Sequence, residues 1–491
     1  MKRIVCLFRA GNSSRGALFA LLALGAMAIP AKAGASTRPQ RGGTLRVQIS
    51  GRIDGIDPRL WPSTPEQAAI AERLDSLVFD RLIRLDERGA LQPSLAISWK
   101  HDAESKRWQF RLREGVIFSD GTPLTAPIAA MALQQLLGAS FDVSATADSV
   151  IVQAEHSLPD LPAELATGRY FIFHSGDDNS LTGTGPFKST LWESIGRAAQ
   201  TTFVANDTCW AGRPFVDKIS VSMNVDIEQQ ANAIAFGQAD IVELPASEVR
   251  RAAQRGVRTA SSDPVELFAL VFEASRPVAQ DALLRQAISL AIDRASIADV
   301  ILQRQGIVAG ALLPNWISGY AHLIPATSDA QHAKELLASS GRQLSRAAPL
   351  VLFYDSSDAE AHAVADRIAV NLREVGIKVQ VLGQVADGKT KAPLVDARLK
   401  RYRLASPDPS MALSELLNSL GEASADLGTP EQMYAAERAP VDTFRVIPLV
   451  HVSESYGLGP RVRDWMAPRW GGWELADVWL APQSAAGGNS P

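Results

Sequence analysis

The spacing of histidine, glycine and serine in this chain shows no signature of catalysis or of a metal centre. None of the seven histidines lies four residues from another, the spacing that places two metal ligands on one helix face. The chain has no G-x-S-x-G and no S-x-x-K. The glycines of "TGTGPF" (182–187) lack the third glycine of a dinucleotide loop. We therefore predict no catalytic residue, no metal ligand and no cofactor.

Aromatic side chains in irregular segments are the better candidates for chemistry. Trp61, Trp316, Tyr320 and Tyr402 all lie among glycine, proline and serine rather than in periodic elements. Loop aromatics commonly line ligand clefts, because they offer a large contact area at a small entropy cost. The alternative is that they cover the core beneath long loops, and the sequence leaves both interpretations open.

The segment "RYRLASPDPS" (401–410) places Pro407 and Pro409 on either side of Asp408. Proline lacks a backbone donor, so this segment cannot continue a central strand. We expect a rigid turn that leads from a basic run into a helix and presents the preceding residues in a fixed geometry.

The elements that position these residues alternate between strands and helices. In "TLRVQI" (44–49) the apolar residues Leu45, Val47 and Ile49 alternate with polar ones, which predicts a strand with one buried face. Residues 107–113 and 218–224 repeat this pattern, and 239–244 resembles a strand. Helices are expected at 65–79 and 228–238.

The second half contains a β-α-β unit. An apolar run at 349–355 predicts a strand buried on both faces. A helix at about 358–375 ends before Gly376, a left-handed cap, and a strand follows at 377–382. Such a unit has parallel strands. Residues 281–301 predict one amphipathic helix. The chain therefore holds two α/β lobes.

The first 33 residues have the pattern of a secretory signal peptide. Lys2, Arg3, Arg9 and Arg15 precede an apolar run at 17–29, and "AKA" follows at 31–33. Thirteen apolar residues are too few to cross a bilayer. We expect cleavage after Ala33 and a periplasmic protein without a lipid anchor, since the leader's cysteine precedes the apolar run.

Charge and cysteine content narrow the possible partners. The chain has 49 basic and 53 acidic residues, and removal of the leader leaves 44 basic residues and a net charge of −9. This balance argues against binding of nucleic acid. Cys209 is then the single thiol, and we expect it to be a buried apolar side chain.

Several segments together resemble one family, the extracytoplasmic solute-binding proteins of peptide and nickel ABC importers (family 5). The order and spacing of the matches agree over nearly the whole mature chain. The matching segments are "GGTLRV" (42–47), "DPRLW" (57–61), "WQFRLREGVIFSDGTPLTA" (108–126), "GTGPFK" (183–188), "CWAGRPFVDKI" (209–219), "LLRQAISLAIDRASI" (283–297) and the opening of "RYRLASPDPS".

The resemblance implies an α/β, two-lobed, periplasmic-binding-protein-like clam-shell of class II with an extra subdomain in lobe I. The implied division is a signal peptide at 1–33, lobe I at 34–270 with a subdomain at about 80–185, lobe II at 271–444, a return to lobe I at 445–482 and a disordered tail at 483–491. Two strands should cross between the lobes near 268–272 and 445–450.

The same resemblance implies capture of a small solute between the lobes and delivery to an ABC permease complex. We expect a monomer that binds a small-molecule ligand, peptide-like or other, and no nucleic acid. Two alternatives remain: a periplasmic sensor or scaffold with this fold that no longer serves transport, and a secreted enzyme. The turn at 120–123, "DGTP", is expected to have no ligand role.

The chain departs from the family at the segment that implies ligand class. Where the family has an aspartate that receives a peptide ammonium, this chain has Ala405, and Tyr402 replaces a tryptophan. We therefore expect a neutral, sugar-like or N-blocked ligand, unless Glu273 receives the ammonium from the far side. The predicted ligand contacts are Trp61, Thr182, Thr184, Phe268, Glu273, Trp316, Tyr320, Tyr402, Leu404, Ala405 and Asp408.

Overall fold

The structure of the protein is a computed structural model. It describes residues 38–86, 89–176, 179–196, 198–340, 348–384, 394–404, 406–422, 427–469 and 471–482. The expected signal peptide, the expected tail and Ala405 lie outside the described residues.

Strands form where the sequence alternates and where it runs apolar. Leu45 and Val47 are buried while Thr44 is exposed, which confirms the predicted period of two. All the strands predicted above form, with ends within two residues of the predicted ones. The strands are β1 (Thr44–Gln48), β2 (Asp80–Arg81), β3 (Ile83–Leu85), β4 (Leu91–Pro93), β5 (Ala96–His101), β6 (Arg107–Leu112), β7 (Asp142–Ala145), β8 (Ser149–Gln153), β9 (Phe171–Ile172), β10 (His174–Ser175), β11 (Leu181–Thr182), β12 (Phe187–Ile195), β13 (Ala198–Ala205), β14 (Lys218–Met223), β15 (Ile241–Leu244), β16 (Arg258–Phe272), β17 (Gly306–Val308), β18 (Leu350–Asp355), β19 (Val379–Gln384), β20 (Ala397–Arg403), β21 (Val446–Leu458), β22 (Val462–Arg463) and β23 (Trp479–Leu480).

Helices begin at side chains that accept hydrogen bonds from their first turn. Thr64 caps the helix that follows it, and Asp358 caps the long helix of the β-α-β unit. Gly376 follows that helix with a φ of 88°, as predicted for a left-handed cap. The helices are α1 (Pro65–Val78), α2 (Ala126–Leu137), α3 (Leu161–Leu165), α4 (Ile227–Ala235), α5 (Ala246–Gln254), α6 (Ala282–Ala291), α7 (Arg294–Ser296), α8 (Asn315–Ser318), α9 (Ala330–Ser339), α10 (Ala359–Glu374), α11 (Pro409–Ser419) and α12 (Pro430–Asp442), with 3-10 turns at Pro58–Leu60, Pro277–Gln280 and Ala321–Leu323 and a π-helical turn at Ile297–Ile301.

The single helix predicted at 281–301 was wrong. α6 ends at Ala291, and Ile292 adopts an extended conformation. Asp293 then accepts a hydrogen bond from the Ser296 N–H and caps α7. The buried Arg294 guanidinium donates to the Pro448 carbonyl at 2.8 Å, so the break turns an arginine into the core. The apolar period continues across this break, which is why the sequence does not reveal it.

One 11-stranded sheet runs through the described chain in the order β12-β13-β14-β1-β15-β21-β16-β20-β18-β19, with β17 added on β21. We name β14-β1-β15 and β20-β18-β19 the first and second half-sheets. Within each half-sheet the strands are parallel, whereas β21 and β16 are antiparallel to each other. The predicted parallel pairing of the β-α-β unit is therefore confirmed.

The two antiparallel strands β16 and β21 carry the chain between the half-sheets. Residues 268–272 already pair with β20, so they lie within the second half-sheet. The pairing of β16 with β21 shifts register on both sides of Pro264 and again between Phe268 and Ala269. The crossing segment, defined as 261–266 and 452–455, therefore lies closer to the first half-sheet than the expected positions near 268–272 and 445–450.

Separate apolar cores cover the two half-sheets. One core joins Leu45, Val221 and Leu74 of α1 with Trp473 from the C-terminal part of the chain. A second core joins α6 and α10 to the second half-sheet. A third core packs α2 on the four-stranded sheet β5-β6-β8-β7, within the range expected for the subdomain. Cys209 is buried, as expected.

Candidate functional site

The carboxyl ends of the two half-sheets face each other across the crossing segment. Leu244, the last residue of β15, pairs with Ser455 on β21. Arg403, the last residue of β20, pairs with Glu266 on β16. Ligands of open α/β sheets bind at the carboxyl ends of the parallel strands. The space between these two edges is therefore the candidate site.

Charged side chains line the first half-sheet's edge of this space. Arg73 of α1 donates from Nη1 to Glu243 Oε1 at 2.9 Å and from Nη2 to Glu454 Oε1 at 2.5 Å. The Ser50 hydroxyl donates to the other Glu243 oxygen at 2.5 Å. Burial lowers the pKa of Arg73, but Glu454, Tyr456 and Glu243 raise it by more. Arg73 is therefore a permanently charged group.

Glu454 joins the two half-sheets through a second arginine. Arg403 of β20 contacts the same Glu454 Oε1 that Arg73 contacts, and Tyr456 donates to Oε2 at 3.3 Å. Burial raises the pKa of Glu454, but Arg403 and Arg73 lower it by more, so the carboxylate stays ionised. One carboxylate on a crossing strand thus binds a guanidinium from each side.

A second arginine-centred cluster lies on the second half-sheet's edge. Arg401 contacts Glu266 at 3.0 Å, Asp358 at 2.9 Å and Glu360 at 2.6 Å, and its guanidinium stacks 4.4 Å from the Phe268 ring centroid. Burial raises the pKa of Glu266, Arg401 lowers it, and the nearby Glu454 raises it again, with a net increase. The two clusters are therefore electrostatically linked through the two glutamates.

These clusters form one group, which we call the crossing cluster: Arg73, Glu243, Glu266, Asp358, Glu360, Arg401, Arg403 and Glu454. Its three arginines and five carboxylates give a formal charge of −2. Several members keep part of their surface, for example 19% of the Glu243 side chain and 26% of the Arg401 side chain. The cluster therefore meets a space that solvent reaches, where it can bind charged groups of a ligand.

Four predicted site residues lie at the same edge, on the other face of the second half-sheet. Tyr402 and Leu404 pack in one apolar cluster with Tyr320, because side chains alternate along β20 and Tyr402 points away from Arg401. Trp316 donates from Nε1 to the Pro264 carbonyl at 2.8 Å, which places it on the crossing segment. The Tyr402 hydroxyl has no hydrogen-bond partner in the part of the chain that is described.

The turn after β20 forms as predicted. Asp408 accepts hydrogen bonds from the Ser410 and Met411 N–H groups at 3.0 Å and caps α11. The pKa of Asp160, which precedes α3, is raised by burial and by Asp408. Since α3 belongs to the subdomain core, the turn lies near the subdomain.

The predicted contacts on the first half-sheet's side already have protein partners. The Thr182 hydroxyl donates to Asp120 at 3.0 Å, and the fully buried Thr184 hydroxyl donates to Asp80 at 2.7 Å. Trp61 is half-buried against the first core. These residues stand apart from the crossing cluster, and their ligand roles remain predictions.

Phe268 and Glu273 lie away from the open edge. Phe268 is fully buried beneath Arg401. Glu273 pairs with Arg398 and its N–H donates to the Asp396 carbonyl at 3.1 Å, beyond the amino end of β20. Six ladder positions separate Glu266 from Phe272, about 20 Å at the usual strand rise. The structure therefore does not bring Glu273 and Tyr402 together.

The crossing cluster was missed from the sequence, although one signal was present. Glu266 and Glu454 each stand inside an apolar strand run, and Arg73 stands on the buried side of α1. Buried charges require partners. Three such positions in apolar elements indicate a common polar site, but sequence spacing does not indicate which residues meet.

Comparison with known proteins decides the family. Residues 90–424 match the family described as "Bacterial extracellular solute-binding proteins, family 5 Middle", which is more than half of the chain. The chain belongs to this family. The resemblance noted from the sequence motifs is confirmed, and the family consists of binding proteins rather than enzymes.

Relatives of this family-5 protein agree in sequence and in fold. The "Nickel-binding periplasmic protein" of Escherichia coli is 26% identical over 373 residues, covering 68% of this chain and 69% of that protein. The substrate-binding protein CtaP of Listeria monocytogenes has a TM-score of 0.76 at 18% identity, over 90% of this chain and all of that chain. AppA of Bacillus subtilis, solved with a nonapeptide, has a TM-score of 0.71 at 17% identity, over 91% and 100%. The fold is thus the two-lobed α/β fold of periplasmic binding proteins, as predicted.

Two further observations concern the described residues of this family-5 protein. No helix among them is both long and apolar enough to cross a bilayer. No group of three histidine, cysteine, aspartate or glutamate side chains among them is arranged to hold a metal ion.

Proposed function

We propose that this protein is the extracytoplasmic solute-binding component of an ABC importer, which captures a small solute between its two lobes and delivers it to a membrane permease. The observation that carries this proposal is the arrangement of the two half-sheets, whose carboxyl edges face each other across two strands. Family membership and the peptide-bound neighbour support it.

Closure around the ligand takes place at the crossing segment. Of the described strands, only β16 and β21 run continuously through it, and the shift of register at Pro264 weakens the ladder there, because proline supplies no donor. Hinge positions in two-lobed proteins are a few such residues at element junctions. Glu454 binds Arg73 and Arg403 at this point, so rotation of one lobe changes the geometry of the crossing cluster directly.

The ligand-contact set combines the predicted residues with the crossing cluster. Trp316 and Tyr402 supply an aromatic wall at the same edge, with the buried Leu404 packed behind them. Arg403 and Glu454 supply charge at the opposite face. Trp61, Thr182, Thr184, Ala405 and Asp408 complete the proposed site on the resemblance to the family.

Export and partners follow from the same assignment. We place the mature protein in the periplasm after cleavage behind Ala33, as a monomer that docks on the permease complex. Relatives named as periplasmic proteins support this location. An enzymatic role is not favoured, because the arginines at the crossing hold its carboxylates in ion pairs rather than leaving an acid and a base free.

Two measurements on one preparation test the proposal. Native mass spectrometry of protein from its own cell envelope should show a reproducible bound small molecule. Small-angle scattering of ligand-free and reloaded protein should then show a smaller radius of gyration in the loaded state. Identical scattering curves with a verified, saturating ligand would contradict capture by closure.

A variant of the crossing cluster tests whether that molecule binds at the candidate site. Arg403→Gln should weaken its binding strongly, because Arg403 is buried at the open edge, and Arg276→Gln should not, because Arg276 pairs with Asp396 at the amino edge of the same half-sheet. If the two variants change ligand affinity equally, the binding site does not lie at the carboxyl edge. If the protein closes around its ligand but deletion of its gene leaves import of that ligand unchanged, the sensor or scaffold alternative is favoured.

A further inference from the structure

A cavity of about 520 Å³ opens on the first half-sheet, at the edge opposite the candidate ligand site. Leu458, in its wall, pairs with Ile241 at the start of β15 and with Arg258 at the start of β16. Three ladder positions separate this point from the Leu244–Ser455 pair, roughly 10 Å along the strand. The cavity is thus separate from the crossing cluster.

Three arginines from different elements converge on this cavity. Arg255 follows α5, Arg258 begins β16 and Arg463 ends β22. Arg258 donates to the Val462 carbonyl at 2.7 Å, and Arg463 donates from Nη1 to the Pro460 and Val462 carbonyls. None of the three has a carboxylate within ion-pair distance in the described chain, in contrast to Arg46, Arg213 and Arg251.

The carboxylates on neighbouring elements already have partners. Asp240, beside Gly459, binds Arg46 in a bidentate pair at 2.9 and 3.0 Å. Glu248 of α5 binds Arg251 at 2.9 Å. The cavity therefore holds three cationic groups and no opposing charge of its own.

Apolar residues form the rest of the wall. Ile234 and Leu458 are 6% and 3% exposed and form the floor, and Val257 and Pro460 stand beside the arginines. Phe236, two residues after Ile234, is 77% exposed. The cavity is open to solvent on one side, and its apolar floor and charged rim could hold a small amphipathic molecule.

We infer that this cavity binds an amphipathic anion, in which a phosphate or carboxylate group meets the three arginines and an attached apolar chain lies against Ile234 and Leu458. Guanidinium groups bind phosphate and carboxylate oxygens through two parallel N–H donors. The donors of Arg258 and Arg463 that do not contact carbonyls remain for this purpose. A bare inorganic anion fills only the charged part of the cavity, so the apolar chain should add affinity.

Calorimetry with hexyl phosphate, inorganic phosphate and hexanol tests the inference. Hexyl phosphate should bind at least about tenfold more tightly than either fragment. The Arg255→Gln/Arg463→Gln double variant should lose at least about tenfold of that affinity, whereas Arg251→Gln, an exposed arginine of α5 paired with Glu248, should lose none. An unchanged melting temperature verifies that the double variant is folded. If it is not folded, the Arg255→Lys/Arg463→Lys variant takes its place and should keep part of the affinity for hexyl phosphate.

Vesicles separate the two sources of such an anion. Co-sedimentation with phosphatidylglycerol vesicles but not with phosphatidylcholine vesicles, lost in the double variant, would identify a lipid headgroup. Binding of hexyl phosphate without vesicle binding would identify a soluble ligand. Absence of hexyl phosphate binding, or binding that the double variant leaves intact, would overturn the inference.

Discussion

Two glutamates, one on β16 and one directly after it, show how topology separates similar chemistry. Glu266 and Glu273 both follow the ladder between β16 and β20, and each contacts an arginine of β20. Glu266 lies at the carboxyl edge, inside the crossing cluster, with its carboxylate surrounded by Arg401, Arg403 and Glu454. Glu273 lies beyond the amino edge with 35% of its side chain exposed. Both are glutamate–arginine pairs, so their position along the strand, rather than their chemistry, decides which of them can contact a ligand.

The largest expected effect separates buried from exposed carboxylates. Glu454→Gln should lower the free energy of unfolding by about 3–5 kcal/mol, because it leaves the guanidiniums of Arg73 and Arg403 buried without their shared counter-charge. Glu273→Gln, the same chemical change at a more exposed pair that involves a single arginine, should cost less, about 1 kcal/mol. Urea unfolding followed by tryptophan fluorescence measures both. Equal losses would remove the distinction between the two edges.

A buried glutamate without an arginine extends the comparison. Glu437 of α12 is fully buried and accepts from the Leu312 and Leu313 N–H groups at 2.5 and 2.8 Å, beside the Tyr320 hydroxyl. Burial raises the pKa of Glu437 to about 7, and the hydrogen bonds lower it only in part. Glu454, whose side chain is 16% exposed and paired with two arginines, has its pKa lowered instead.

This difference predicts a pH-dependent gain in stability for Glu437→Gln. The folded protein keeps the Glu437 proton up to about pH 7, whereas the ordinary pKa is 4.5, so unfolding releases a proton between these values. Stability contributed at this position therefore falls as pH rises through that interval. The variant should match wild type below pH 4.5 and exceed it by about 1–3 kcal/mol at pH 8.

A neighbouring histidine also titrates in this range. The quantity to measure is therefore the difference in unfolding free energy between Glu437→Gln and wild type. His451 donates from Nε2 to the Leu312 carbonyl at 3.0 Å, and burial lowers its pKa to about 4 from 6.5. Between these values the unfolded chain binds the extra proton, so the His451 contribution to stability rises with pH and opposes that of Glu437. Subtraction of wild-type from variant unfolding free energies removes the His451 term. A difference that stays constant from pH 4 to 8 would contradict the prediction.

Much of the fold follows from the sequence, because local patterns carry it. The period of two at Leu45 and Val47 and the cap at Gly376 are local signals, and both are present in the structure. The break after Ala291 and the crossing cluster are not local. Arg294 turns inward to meet Pro448, and Arg73 meets Glu454 across 381 positions of sequence. Such meetings depend on strand order, which periodicity does not specify.

A smaller loss of stability is expected from a change at the "DGTP" turn, which is not part of the ladder between β16 and β20. Asp120 accepts from the Thr122 N–H at 2.8 Å, His174 at 2.9 Å and the Thr182 hydroxyl at 3.0 Å. Partial burial raises its pKa, but these hydrogen bonds lower it to about 2. Its contribution to stability is present above pH 3.8 and is lost as pH falls toward 2.

Asp120→Ala should therefore lower the free energy of unfolding by about 1–2 kcal/mol at neutral pH and leave ligand affinity unchanged. Thermal unfolding and calorimetry with the co-purified ligand measure the two quantities. A large loss of affinity at an unchanged melting temperature would place this turn in the binding site instead.

The smallest effect on affinity is expected when the ligand, rather than the protein, is changed. Acetylation of a peptide's amino group should change its affinity by less than about tenfold, whereas loss of a buried ammonium–carboxylate pair costs about 2–5 kcal/mol. Ala405 has no carboxylate to receive an ammonium, and Asp408 is occupied as the cap of α11. Glu273 follows Phe272, which lies about 20 Å from Glu266 along the strand, so we do not expect it to act from the far side of the candidate site.

Calorimetry with matched free-amine and N-acetylated dipeptides makes this measurement. If acetylation abolishes binding, the crossing cluster is the remaining source of negative charge, since its formal charge is −2. Glu266→Gln would then weaken the free-amine peptide and leave the acetylated one unchanged, while Glu273→Gln would change neither. That result would replace the expectation of a neutral or N-blocked ligand with recognition of an ammonium group by the glutamates between the lobes, and it would confirm that the carboxyl edge, rather than glutamate content, determines ligand class.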